Sequence, residues 1–183
     1  MKKIDYWLQK QRNKQAAKHI IGNTLLDVGC HKGELFQYLL QSKPITGAGM
    51  DTILTKPVYH KNYNLFPGFF PDDFALKQKF HNITFLAVME HIPMLILEKY
   101  PKILKKYLLP KGRVIITIPT KNVDYILSAL LFFKLIDGMD VENHQDFDRN
   151  SLKNIFLTNG YTLIKEYSFE FGFNLVFVFE KND

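Results

Sequence analysis

Two periods of apolar residues run through the chain. Ile4, Trp7 or Leu8, Ala16, Ala17 and Ile20 recur at helical spacing and predict a helix over residues 3–20, ended by Gly22-Asn23. Thr24 to Val28 is a short apolar run and predicts a buried strand. Glu34 to Leu40 returns to the helical period, with Leu35, Tyr38 and Leu39 inward. Pro44 resets the chain, and Ile45 to Met50 reads as a second strand ending at Asp51. A third strand is expected near Tyr63 to Phe70, and Phe80 to Val88 contains the strand ITFLAV. Residues 93–108 read as helical, with Pro101 interrupting, and LPKG as a turn. Arg113 to Pro119 is apolar throughout, as in strands buried on both faces of a parallel sheet. Helices are predicted over 124–135 and 150–159, the second closed by Gly160. The runs YTLIKEYSF and FNLVFVFEK, joined by Glu170-Phe171-Gly172, predict a hairpin.

Strands alternating with helices predict a doubly wound, Rossmann-like α/β fold. The expected sheet has seven strands, mostly parallel, with a C-terminal antiparallel hairpin. The 183 residues suit a single domain. In such sheets ligands lie at the carboxyl ends of the strands.

Composition adds three limits. With 46% apolar and 23% charged residues, and 16 Phe and 9 Tyr, the chain has an aromatic-rich core to build and is not a disordered one. The net charge of +6 sits partly in residues 2–18, where Lys2, Lys3, Lys10, Arg12, Lys14 and Lys18 face one acid, Asp5. That reads as a solvated helix face, or as a contact for an anionic partner such as nucleic acid or a membrane surface. Cys30 is the single cysteine, so no internal disulfide forms. No secretory leader pattern and no bilayer-length apolar run is present, and a cytoplasmic protein is expected.

The chemistry concentrates after the first strand, in TLLDVGCHKGEL. Asp27, Gly29 and Gly33 follow that strand, and Asp51 ends the second. Glycines let a backbone approach a ligand, and an acid at the second strand end accepts hydrogen bonds from ribose hydroxyls. A dinucleotide site needs G-x-G-x-x-G, with pyrophosphate on the helix N-terminus. Here the spacing is G-x-x-x-G, and Glu34 would compete with a phosphate. A ligand with a ribose and an ammonium but no phosphate fits better.

DVGCHKGEL resembles motif I of the class I S-adenosylmethionine-dependent methyltransferases, usually D-x-G-C-G-x-G. GAGMD resembles the ribose motif that follows, FHNITFLAVMEHIP the strand and loop F-D-x-V-x-x-x-x-V-L-E-H-I, and LPKGRVIITIP the next strand. The run from His144 through Gly160-Tyr161 resembles the approach to the last helix. The resemblance implies a leading helix over 1–22, a cofactor-binding half over 24–120, and a substrate-side half over 121–183. It implies S-adenosylmethionine as cofactor and S-adenosylhomocysteine as product. Gly29 and the neighbouring backbone would face the methionine part, Asp27 would hold its ammonium, directly or through water, and Asp51 would take the ribose. Cys30, Gly33 and Met50 would join the cofactor site, with His31 beside its methionine or ribose end. Leu86 and Ala87 would line the cofactor. Trp7 and Arg12 would close over it, Arg12 meeting the carboxylate. Asp72 or Asp73, with Phe69 or Phe70 as an apolar wall, is the nearest adenine-side candidate. Two positions depart from the family pattern: His31 replaces the middle glycine of motif I, and His81 replaces the acid of F-D.

Methyl transfer needs positioning first, and a base only where the acceptor must lose a proton. His91 and Glu90 after the fourth strand, and His144 before the last helix, are the candidates, with His91 and His144 preferred. No set of carboxylates has metal spacing. AVME stands where class members acting on nucleobase amines carry N-P-P-Y. A small-molecule acceptor, or a lipid- or sugar-linked one, is therefore favoured over nucleic acid. An RNA or protein methyltransferase is the first alternative, and a non-catalytic cofactor-binding module the second. YILSALLFFKLI, residues 125–136, reads as a helix packed on the sheet, or as a lid, membrane or subunit contact.

Overall fold

The computed structural model describes residues 3–120 and 148–183. In chain order they form α1 (Lys3–Ala17), β1 (Thr24–Val28), α2 (Glu34–Leu39), β2 (Thr46–Asp51), β3 (Val58–Tyr59), β4 (Tyr63–Pro67) and β5 (Phe80–Leu86). A 3-10 turn over Met89–His91 leads to α3 (Met94–Leu97), α4 (Tyr100–Tyr107), β6 (Leu108–Pro119), α5 (Arg149–Thr158), β7 (Tyr161–Phe169) and β8 (Asn174–Lys181).

One sheet of eight strands, ordered β3-β4-β2-β1-β5-β6-β8-β7, runs through the molecule. From β4 to β6 every neighbouring pair is parallel. β8 is antiparallel to β6 and to β7, which makes the expected C-terminal hairpin. The strand beyond the predicted seven is β3, two residues antiparallel to β4 at the sheet edge. So short a segment carries no periodicity that a sequence could show.

Alternation splits the side chains between two cores. Leu26, Ile83, Phe85, Leu104, Phe156, Phe177 and Phe179 pack on one face. Ala16, Leu25, Phe36, Leu39, Ile115, Val176 and Val178 pack on the other, under α1 and α2. The expected aromatic core is present: Phe156 stacks on Phe179 at 4.5 Å, and Phe70 meets Phe74, Phe85, Tyr100 and Tyr107. Such pairs add about 0.5–1.5 kcal/mol each beyond their buried area.

The helical stretch near Pro101 is interrupted as expected: α3 ends at Leu97 and α4 begins at Tyr100, with Pro101 in its first turn, where the missing N–H costs nothing. Two local expectations change. LPKG does not precede the strand but bulges within β6, between the pairs Phe80–Leu108 and Asn82–Arg113, with Lys111 at φ 56°. α1 ends at Ala17, before Gly22, whose missing Cβ instead makes room for the His81 ring. That ring is held by Thr24, whose Oγ1 lies 2.7 Å from His81 Nδ1. α5 starts on Asp148, which accepts from the N–H groups of Asn150 and Ser151. The helix predicted over 124–135 and the apolar run 125–136 lie outside the described residues.

Because β7 is antiparallel to β8, it runs with the parallel strands. Its end at Phe169 therefore shares an edge with the ends of β1, β2, β5 and β6. The hairpin tip and the glycine turn stand on the same edge.

Candidate functional site

The turn after β1 is tied to β2 by its own backbone. Gly29 N–H donates to Met50 O at 2.8 Å and Cys30 N–H to the same oxygen at 3.3 Å. Gly29 takes φ 76°, and any Cβ there would overlap Val88 Cγ2. Glycine is required on both counts. Gly33, φ 81°, precedes α2 and is buried against Tyr63.

His31 occupies left-handed backbone, φ 48°. That explains why a glycine suits this position in related motifs; histidine accepts it at a local cost of about 1–2 kcal/mol. The His31 N–H donates to Asp51 Oδ2 at 2.7 Å, and the ring Nδ1 lies 2.7 Å from Glu34 Oε1. Glu34 Oε2 accepts the Lys32 N–H, and Asp51 Oδ1 accepts the Ile53 N–H. Both acids are thereby aimed by backbone.

Asp27 is buried and accepts a 2.6 Å hydrogen bond from Thr84 Oγ1. Burial pushes its carboxyl up to about 7, against the Thr84 bond, with the Asp51 and Glu34 charges adding to the rise. A cation at this oxygen would restore the ionised form. Cys30 is 3% exposed, and burial, then the Asp27 and Asp51 charges, push its thiol up. It contributes packing and backbone, not a nucleophile.

At the end of β5, Leu86 is half-buried and Ala87 turns left-handed at φ 58°. Ala87 N–H donates to Thr117 O at 2.9 Å. Glu90 and His91 follow with opposite fates. His91 is exposed. Glu90 places Oε2 out of solvent with no hydrogen-bond partner, and burial pushes this carboxyl up to about 8 while the Arg12 charge opposes. Across the same edge Glu170, φ 52°, gives one oxygen to Asn174 Nδ2 and leaves Oε1 buried without a partner. Burial raises Glu170 as well, and Arg12 again opposes.

Asp27, Gly29, Cys30, His31, Gly33, Met50 and Asp51 therefore form one patch at the ends of β1 and β2, with Leu86 and Ala87 beside it on β5. Arg12 and the half-exposed Trp7 come from α1. Asp72 is exposed on the loop after β4, while its neighbour Asp73 accepts from the Phe69 N–H at 2.8 Å. Phe70 is core and Phe69 is 68% exposed. His144 lies outside the described residues. Sequence reasoning passed over Thr84 and Glu170. Thr84 carried a signal, a polar residue inside ITFLAV; Glu170, in a turn, carried none. Among the described residues no cluster of His, Cys, Asp and Glu fits a metal ion, and no helix is long and apolar enough to cross a membrane.

A family model described as a methyltransferase domain matches residues 2–166. No curated protein sequence matches the chain. Solved structures share the fold. The magnesium protoporphyrin IX methyltransferase ChlM from Synechocystis PCC 6803, with bound SAH, is 15% identical at TM-score 0.67, covering 96% of this chain and 84% of its own. The N-methyltransferase NodS from Bradyrhizobium japonicum WM9 is 12% identical at TM-score 0.66, covering 96% and 97%. The methyltransferase domain of bacterial CtHen1-C is 18% identical at TM-score 0.67, covering 96% and 100%.

Proposed function

The chain belongs to the methyltransferase domain family, and we propose that it moves a methyl group from S-adenosylmethionine to an O or N atom of a small-molecule, lipid-linked or sugar-linked acceptor. The observation that carries this reading is the pairing of two acids around one glycine turn. Asp27 is a buried carboxyl that a cation would complete, and Asp51 is a carboxylate aimed by two N–H groups at the neighbouring strand end.

Asp27 holds the donor's ammonium, directly or through water, and Arg12 meets its carboxylate as a bidentate partner. Gly29, Cys30, His31 and Gly33 bring backbone against the methionine part. Met50 and Asp51 take the ribose, Leu86 and Ala87 line the cofactor, and Asp72 is the adenine-side candidate. The donor, when bound, supplies the activated methyl as a sulfonium. The chain's task is to hold donor and acceptor in line and keep water out. His91, after β5, and His144 are the candidate bases.

Calorimetry with S-adenosylhomocysteine tests the reading. Wild type binds it and does not bind NADH. Asp51→Ala and Asp27→Asn each weaken it at least tenfold. Binding of NADH instead would reject the reading.

A further inference from the structure

The motif residues leave two acids unexplained, both at the same edge. Glu90 follows β5, and Glu170 stands at the tip between β7 and β8. The strands between them are β6 and β8, and their ends are laced together. Thr120, directly after β6, donates its N–H to Phe173 O at 2.8 Å and its hydroxyl to Gly172 O at 3.0 Å. The Arg12 charge reaches both carboxyls. Each acid keeps one buried oxygen with no hydrogen-bond partner. A buried oxygen left unmatched is costly, more so when charged, so a native site has a reason for it.

The turn that carries Glu170 is itself strained. Glu170, Phe171 and Gly172 are consecutively left-handed, at φ 52°, 57° and 88°. The first two are not glycine, and such strain gathers at ligand sites. It turns Glu170 inward to Asn174 and leaves the Phe171 ring 95% exposed at the rim.

We propose that Glu90 and Glu170 form the acceptor subsite, that it takes a primary amine on an apolar body, and that the reaction is N-methylation. This rests on the methyltransferase reading above. An ammonium supplies the hydrogen-bond donors that both free oxygens need, and Phe171 covers the apolar part. Glu90 takes one proton from the ammonium. The freed nitrogen pair bonds to the methyl carbon, and the carbon–sulfur pair stays on sulfur. The product leaves as a methylated ammonium, and Glu90 returns its proton to water. A buried carboxyl pushed to about 8 suits this exchange near neutral pH.

The test uses the full chain and two probes with the same phenylethyl body, 2-phenylethylamine and 3-phenylpropionate. Calorimetry of the chain saturated with S-adenosylhomocysteine reads binding, and a separate assay with labelled S-adenosylmethionine in its place reads methyl transfer to the amine. The amine is expected to bind at least tenfold tighter than the acid and to gain label. Glu90→Gln and Glu170→Gln are each expected to cut that preference at least tenfold while S-adenosylhomocysteine affinity stays within twofold. Equal or tighter binding of the acid overturns the proposal, as does full amine affinity in both variants. Loss of S-adenosylhomocysteine from either variant also overturns it, since the carboxyl would then belong to the donor site. Failure of wild type to bind S-adenosylhomocysteine would instead reject the donor reading.

Discussion

The backbone N–H of His31 donates to Asp51 Oδ2 at 2.7 Å, while the ring of the same residue holds Glu34 Oε1 at 2.7 Å. One left-handed residue thus joins the acid of β2 to the acid that opens α2. The link to Asp51 uses only the backbone N–H of His31 and survives any substitution at 31 except proline. The link to Glu34 uses the ring, and the Lys32 N–H shares that carboxylate.

His31→Gly should therefore leave the site intact. It relieves left-handed strain and keeps the N–H to Asp51. Affinity for S-adenosylhomocysteine should stay within about threefold or improve. A tenfold loss, about 1.4 kcal/mol, would make the ring itself a ligand contact.

Asp51 carries the opposite expectation. Asp51→Ala orphans the N–H groups of His31 and Ile53 and removes the ribose acceptor. Asp51→Asn keeps one oxygen. Calorimetry should rank wild type above Asn above Ala, with the alanine variant at least tenfold weaker. Equal affinities would remove Asp51 from the site.

Asp27 makes stability pH-dependent. Its folded carboxyl, at about 7, stands above its unfolded value, so the native state binds the extra proton. Its contribution to stability is fully present below the unfolded value near 4 and is lost as pH rises through about 7. Glu90, at about 8, acts in the same direction and extends the loss upward. Thermal melts of the ligand-free protein should fall from pH 5 to pH 8, and Asp27→Asn should flatten the lower part. S-adenosylhomocysteine should bind more tightly as pH rises through 7, because its ammonium needs the ionised form. A melt that rises across this range contradicts the assignment.

Gly47 tests the frame beneath the site. A Cβ there would overlap Leu25 O of the neighbouring strand, where no side chain can yield. Gly47→Ala should cost several kcal/mol, of the order of severe core lesions. Loss of the cooperative melt by circular dichroism would show it, whereas a Tm within a few degrees of wild type would refute the close approach.

Much of the frame was legible because apolar period reports burial directly. Thr24–Val28 forms β1 as predicted, and the helix expected over 150–159 is α5, shifted by one residue. The hairpin tip sits on Glu170-Phe171-Gly172 as expected. β3 and the bulge in β6 were not legible, since two residues make no period and a glycine turn reads alike inside or outside a strand. The contrast between His91 and Glu90 was not legible either. Adjacent residues in a loop carry no facing signal, and only the packed structure leaves His91 exposed and takes one Glu90 oxygen out of solvent.

The sequence by itself determined the layers, the strand-end acids and the glycine turn, because each rests on local spacing or on the backbone freedom of one residue. Tertiary structure decided the rest. It set His31 in a glycine's conformation, gave Asp27 a threonine partner 57 residues away, and brought Glu170 to the edge that holds Glu90. Those relations arise only when distant strands meet, and burial, unlike spacing, belongs to the fold as a whole.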